Sequence, residues 1–259
     1  MDPWFYSVDE WIIYALIVLV IGVGAEGGAA LARWRHIGTA SDADRFLSTM
    51  AAPSIGLLAL MIGFTFSMAV TRFEARKSAL VTEANAIGTA ALRGRMLPEP
   101  YSSAVAPMFK EYAKSRVAST GQTAGSASTV VAINRALELQ EQLWRAAIAA
   151  SASNPQVVPS GLFVQALNSM IDIHAERLAA GRNHVPSLVL LTLIGIAIAS
   201  LSFAAYGLQS TGLYRRAALW VMVVMIGSVI LLVFDLDRPQ GGFITVNQQP
   251  LLDLIDSMS

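Results

Sequence analysis

The feature that most constrains this sequence is the uninterrupted stretch of residues 51–96. Its first part, residues 51–71, contains no charged residue and is long enough to cross a bilayer as a helix. Its second part carries charges at helical spacing, and no proline occurs between Pro53 and Pro98. Because nothing marks a stop between the two parts, the pattern predicts one continuous helix of about 65–70 Å that crosses the membrane and extends beyond it.

The composition indicates an integral membrane protein. Of the 259 residues, 54% are hydrophobic and only 14% are charged, with a mean hydropathy of +0.54, which is too apolar for an ordinary soluble domain. The formal net charge is zero, so charge gives no indication of a nucleic-acid partner. The chain has no cysteine, which excludes disulfides and cysteine-ligated metals.

Three further apolar stretches predict membrane spans at residues 11–32, 186–206 and 217–234, which makes four in all. The tail, residues 235–259, is too polar to cross. Its apolar residues near the end are spaced as in a short amphipathic helix, which would lie either on the bilayer or on a helical bundle.

The only large polar region, residues 72–184, contains four helical patterns and no strand pattern. An even number of helices returns the chain to the side from which it left. We therefore predict an all-α integral membrane protein with four transmembrane helices. An extramembrane four-helix bundle is inserted between the second and third of them, and the second span is continuous with the first bundle helix.

The charges give opposite answers on sidedness. The positive-inside rule counts short loops and puts the bundle outside, whereas the charges that flank the bundle, such as Arg72 and Arg182, favour the cytoplasm. We favour the outside, because the two short loops agree with each other. The short loops hold five arginines: Arg33, Arg35, Arg45, Arg215 and Arg216.

No catalytic or cofactor motif is present, so we expect neither an enzyme nor a bound cofactor. His174 and Glu176 are two residues apart on a predicted helix and therefore face different directions, which does not suit a metal site. We expect these two residues and Asp172 to lie on a solvated helix face.

Polar residues inside apolar surroundings are the other candidates for function. Glu26, within the first span, is either an interfacial carboxylate paired with an arginine such as Arg33 or an ion or proton site in the bundle of spans. Glu83 and Asn85 belong either to a polar network between helices or subunits or to a water-filled path. Arg72 and Arg76 are the remaining candidates for such a network.

One face of the second span contains Gly56, Leu60 and Phe64, which are four residues apart. Considered alone, a phenylalanine at such a position contacts lipid or packs against a neighbour more often than it lines a pore.

Two motifs in the long helix carry a family resemblance. Gly63-Phe64, followed by Thr71-Arg72-Phe73, resembles the second membrane helix of bestrophins. The run RFEAR at residues 72–76 is similar to a stretch of bacterial bestrophins. Bestrophins also share the layout of four spans with a helical insert between the second and third.

Further motifs resemble the bestrophin-like family of bacterial membrane proteins in particular. They are the run EANAIGTA at residues 83–90, the sequence LPEP at 97–100, and a C-terminal group made of Asp235, Asp237, Arg238, Pro239, Gly242, Ile244, Val246, Pro250 and Leu251. The resemblance covers most of the chain.

The resemblance implies a function as well as a fold. Bestrophins are pentameric anion channels whose pore neck is lined by the second span, which would make Gly56, Leu60 and Phe64 the neck of this chain. Phe64 matches the family's aromatic residue, but Gly56 and Leu60 are smaller than usual there. Bestrophins hold the helical insert in the cytoplasm, and this chain has no acidic calcium clasp of the eukaryotic kind.

Two functions follow from these observations. The first is a homo-oligomeric ion channel in the bacterial inner membrane, a pentamer by analogy, that conducts chloride or another small anion. The balance of 12 basic against eight acidic residues in 72–184, which is +4, mildly favours anions. The alternative is a non-conducting membrane scaffold or sensor whose helical domain binds a partner.

Overall fold

The computed structural model describes residues 8–35, 42–119, 127–153, 157–207, 213–239 and 242–258. Within these residues the regular secondary structure is α-helical, and no strand is formed. The helices are α1 (Glu10–Arg35), α2 (Asp42–Thr49), α3 (Ala51–Gly94), α4 (Tyr101–Ala118), α5 (Ala127–Ser153), α6 (Val157–Arg182), α7 (Ser187–Gly207), α8 (Leu213–Asp237) and α9 (Gln249–Ser257).

The helix α3 confirms the long continuous helix predicted from the sequence. It has 44 residues, which corresponds to about 66 Å. It ends at Gly94, two residues before the predicted limit, where Leu97 and Pro98 turn the chain towards α4. The chain divides into two compact units, and the boundary falls at Thr71–Arg72 inside this helix.

Four helical stretches of the described chain are long and apolar enough to cross a membrane. They contain the four predicted spans, in α1, α3, α7 and α8. The fold class is therefore confirmed: the protein is an all-helical integral membrane protein with four membrane-spanning helices.

The first unit comprises Met1–Thr71 and His184–Arg238. In it α1 packs against α7 and α8, and small residues allow the close approach. A side chain at Gly28 would collide with the backbone of Ser202, and the Ser202 hydroxyl donates to the carbonyl oxygen of Gly24 at 2.8 Å. The spacing Gly24-x-x-x-Gly28 thus serves helix packing, as small residues do in membrane helices.

The second unit comprises Arg72–Asn183 and Pro239–Ser259. Its core is drawn from the second half of α3 and from α4, α5, α6 and α9. Phe109 and Phe163 meet edge to face at its centre, with ring centroids 6.2 Å apart. Other buried members are Ile87, Val105, Leu139, Leu143, Leu167, Met170 and Leu251.

The short helix α9 resolves one of the alternatives left open by the sequence. Leu251 is fully buried in the core of the second unit, and the Leu254 side chain approaches Gly88 of α3. The amphipathic tail helix therefore lies on the bundle, which is built from five helical segments rather than four. The apolar spacing of α9 predicted the helix, but not which surface it covers.

Candidate functional site

Glu83 is the centre of the most unusual group of side chains in the second unit. It lies on the buried face of α3, one turn from Ile87, and its side chain is 0% exposed. Isolated charges are rarely buried because water solvates them far better than a protein core does. The side chains around Glu83 must therefore replace that hydration.

Two arginines from other helices neutralise Glu83. Arg116 of α4 donates from Nε to Oε1 of Glu83 at 2.7 Å, and Arg177 of α6 donates from Nη1 to Oε2. Arg177 also donates from Nη2 to Gln248, next to α9, at 3.3 Å. A single carboxylate thus joins α3 to α4 and α6, and Arg177 extends the network to the tail.

A second layer of polar side chains surrounds the carboxylate. His174 Nδ1 lies 3.5 Å from Glu83 Oε1 and 3.1 Å from the hydroxyl of Tyr112. That hydroxyl accepts a hydrogen bond from Gln140 Nε2 at 2.9 Å. Nε2 of His174 is buried and has no hydrogen-bond partner within the described part of the chain.

The electrostatics of the group follow from burial and pairing. Burial raises the pKa of Glu83, but hydrogen bonding from His174 and the charges of Arg116 and Arg177 outweigh it and hold this pKa at about 2. Burial, and then the negative charge of Glu83, raises the pKa of Tyr112 above its ordinary range. Burial lowers the pKa of Arg177.

This chemistry suits a structural role better than catalysis. Both oxygens of Glu83 already accept hydrogen bonds from guanidinium groups, which leaves the carboxylate little capacity for a metal ion or for proton transfer. We infer that the group fixes the mutual register of three helices, because the carboxylate of α3 is hydrogen-bonded to arginines of α4 and α6.

The expectation of a solvated face for His174 is wrong. His174 is buried, whereas Asp172 and Glu176 are exposed on the same helix. The missed signal is the spacing of Phe163, Leu167 and Met170, whose three- and four-residue steps continue to positions 174 and 177. In α4 the spacing of Val105, Phe109 and Tyr112 continues in the same way to Arg116.

The other residues predicted for a polar network lie elsewhere on α3. Arg76 is buried, Arg72 is half-buried, and Asn85 is exposed on the face opposite the core. A role for them in contacts between subunits stays a prediction.

In the first unit Glu26 is paired with an arginine that the sequence did not single out. Arg216 of α8 donates from Nε and Nη2 to the two carboxylate oxygens of Glu26, each at 3.0 Å, and Trp220 Nε1 donates at 3.1 Å. The sequence put Arg216 in a short loop before the fourth span, but it lies within α8, so this contact joins α1 to α8. The side chains of Arg35, Arg45 and Arg215 lie outside the described residues.

A further polar group in the first unit was missed as a structural site. Asp237, at the end of α8, accepts a hydrogen bond from the backbone amide of Val185 at 2.9 Å. The neighbouring Arg238 donates to Glu10 at 3.2 Å and to the carbonyl oxygen of Val8. The polar run at residues 235–238 was visible in the sequence, but its partners are about 50 and 230 residues away.

The predicted neck residues lie on the outer surface of α3. Leu60 and Phe64 are 54% and 60% exposed, and Gly56 has open space around it. On the opposite face Leu58, Thr65 and Ala69 are buried. The second span therefore packs through one face and leaves the face of the predicted neck open.

Comparisons with known proteins agree with this architecture. The family model described as "Bestrophin-like domain" matches residues 19–251. Among curated proteins, none matches this sequence.

Solved structures of a bacterial bestrophin homologue from Klebsiella pneumoniae share the fold. One variant superposes with a TM-score of 0.63 at 15% identity, over 97% of this chain and 96% of that chain. A second variant gives 0.63 at 13% identity, over 95% and 93%. A third structure of the homologue gives 0.59 at 16% identity, over 96% of each. With four apolar spans and a family match over most of its length, the chain belongs to the bestrophin-like family of membrane proteins.

Proposed function

We propose that this chain is a bestrophin-like ion channel in which several copies surround a central path lined by α3. Membership of the family and the fold shared with bestrophin homologues support the proposal. Five copies would be expected from the resemblance to bestrophins. A channel needs no catalytic set, and the chemistry of the Glu83 group is that of a fixed network.

The observation that carries the proposal is the open face of α3 in the first unit. Gly56, Leu60 and Phe64 are exposed at a spacing of four residues, while the reverse face is packed. Lipid would also cover Leu60 and Phe64, so exposure by itself does not distinguish a pore from a lipid-facing surface. The shared fold favours a position of this face at the central axis of the oligomer, because in bestrophins the second span faces the pore.

For the conducted ion we propose a small anion. The balance of +4 over residues 72–184 and the electropositive edge of a phenylalanine ring support this choice. A ring of apolar side chains at Leu60 and Phe64 would form a constriction that closes by expelling water.

We also propose that the second unit lies outside the bilayer of the bacterial inner membrane. The charge arguments for its side conflict, so a direct label is required. Ala149 is exposed on α5, and the native chain has no cysteine. An impermeant maleimide that labels Ala149→Cys in intact cells puts the second unit outside, and labelling only after lysis puts it in the cytoplasm.

The test of the channel is ion flux from liposomes that contain the purified protein. We expect chloride flux from the wild type and a change of at least about threefold in Phe64→Ala, because the constriction loses its widest side chain. Phe66→Ala is the matched control: Phe66 is exposed too, but two residues along a helix it points to a different face. Equal effects of the two substitutions on flux would show that Phe64 does not line the pore.

The alternative is a non-conducting scaffold or sensor. It is favoured by apolar side chains on the surface of α5, of which Val131 and Ile148 are 67% and 59% exposed. The mass of the purified protein in mild detergent separates the two functions. A monomer or dimer has no central path and would overturn the channel, and an oligomer without flux would favour the scaffold.

A further inference from the structure

The second half of α3 has two faces of opposite character. The inner face is buried through residues such as Leu80, Glu83 and Ile87. The outer face is exposed except at Gly88, which the Leu254 side chain of α9 approaches. We call this face the outer seam, and it consists of Glu74, Ser78, Val81, Asn85 and Leu92, with the half-buried Gly88 between the last two.

The outer seam has the spacing of a surface that faces a common axis. Its residues follow one another at alternating steps of four and three, if Gly88 is counted. Counted back along the sequence, the same alternation passes through Thr71 and Ser67 and reaches Phe64 and Leu60. Such a 3–4 alternation keeps one stripe of a helix turned towards its neighbours around an axis.

The side chains of this stripe suit the lining of a water-filled path better than an apolar interface between helices. A self-associating seam is apolar at nearly every position. Here the middle of the stripe is small and polar, with Ser67, Thr71, Glu74 and Ser78 in succession. The apolar pair Leu60 and Phe64 lies at one end, and Leu92 lies at the other.

We propose that Glu74 sets the charge selectivity of the conduction path by opposing the passage of anions. This inference rests on the proposed channel. From Leu60 to Leu92, Glu74 is the one charged residue on the stripe. Repeated once per subunit, it places a ring of carboxylates next to the span, and rings of Asp or Glu attract cations and repel anions in channels.

The positive charge of the neighbouring Lys77 weakens the repulsion of anions by Glu74 but does not cancel it. Its Nζ lies 3.7 Å from Glu74 Oε2, and both side chains are 59% exposed. An exposed pair three residues apart is weak and loosely held, so the carboxylate stays available to ions in the path. The ring of Glu74 therefore opposes the attraction of anions by the net positive charge of residues 72–184. The selectivity of the wild type is the result of both charges.

The experiment is a reversal-potential measurement across a bilayer with a KCl gradient, for the wild type and for Glu74→Gln. We expect the chloride-to-potassium permeability ratio to rise about tenfold in Glu74→Gln, at the low end of the enrichments that charged clefts produce. Glu74→Lys should raise the ratio further, and Lys77→Gln should lower it. The shifts should shrink towards 1 M salt, where the Debye length is about 3 Å.

Glu141→Gln is the matched control. Glu141 is an exposed glutamate of the same unit with an arginine partner one turn away, Arg145 at 3.3 Å, but it lies on α5. An unchanged ratio in Glu74→Gln, or an equal shift in Glu141→Gln, overturns the inference while the flux itself upholds the channel. No flux from a folded, oligomeric wild type overturns the proposed channel and this inference together.

Discussion

Glu26 in the first unit and Glu83 in the second have the same side chain and similar partners but opposite surroundings. Glu26 is held by the two-pronged contact of Arg216, whose side chain is itself 61% exposed. Glu83 is 0% exposed and is held by two arginines that are also buried. The open side of the Glu26 pair leaves room for a replacement partner, whereas the packing around Glu83 leaves none. The difference predicts that equal substitutions have very unequal effects.

The largest effect is expected from Glu83→Gln. The substitution keeps the shape but leaves Arg116 and Arg177 buried without a counter-charge, which should lower the free energy of unfolding by about 3–5 kcal/mol. Chemical denaturation in mild detergent measures it, with the exposed Glu141→Gln as control. A loss no greater than that of the control would mean that water reaches the group.

Acid should remove the same stabilisation from the wild type. The pKa of Glu83 is about 2 in the folded protein, below its ordinary value of 4.5. Its contribution of about 3 kcal/mol is therefore complete above pH 4.5 and is lost as the pH falls from 4.5 towards 2. Hydrogen exchange of α4 and α6 at decreasing pH should show it. A wild type and a Glu83→Gln variant with parallel acid profiles would contradict this assignment.

Tyr112→Phe should have an intermediate effect. It removes the hydroxyl between Gln140 and His174 and leaves Gln140 Nε2 without its acceptor in the core, at about 1–3 kcal/mol. Thermal melting followed by circular dichroism measures the change. Gln140→Leu combined with Tyr112→Phe should recover part of it, because both ends of the lost hydrogen bond are then apolar. No recovery would place the loss in packing rather than in the hydrogen bond.

The smallest effect is expected from Glu26→Gln. Because its partner is exposed, the melting temperature should fall by only about 1–2 °C. The fall should become smaller still at high salt, which screens exposed charges. A fall as large as that of Glu83→Gln would show that the Glu26 pair is shielded from water by lipid.

The sequence predicted the helices better than it predicted which polar side chains pair with one another. The absence of proline between Pro53 and Pro98 was sufficient to predict the length of α3, because helix continuity is a local property. The partners of Glu83 are 33 and 94 residues away along the chain, and no local rule connects them. Helical spacing could have indicated that His174 and Arg177 are buried. It could not have indicated that they meet Glu83.

The proposed pore residues show a different limit. Spacing alone put Gly56, Leu60 and Phe64 on one face, and the structure shows that this face is exposed. Whether lipid or another copy covers the face depends on assembly, which a single chain does not encode in its own contacts. For the same reason the role of Asn85 and of Arg72 stays a prediction.

The placement of α9 has a consequence for the order in which the protein is made. The core of the second unit needs Leu251, yet residues 184–238, which include the last two spans, must be synthesised first. At about 5–20 residues per second, this delay lasts several seconds. During that time the bundle exposes the apolar surface that α9 later covers, so the unfinished second unit is most prone to aggregation in this interval.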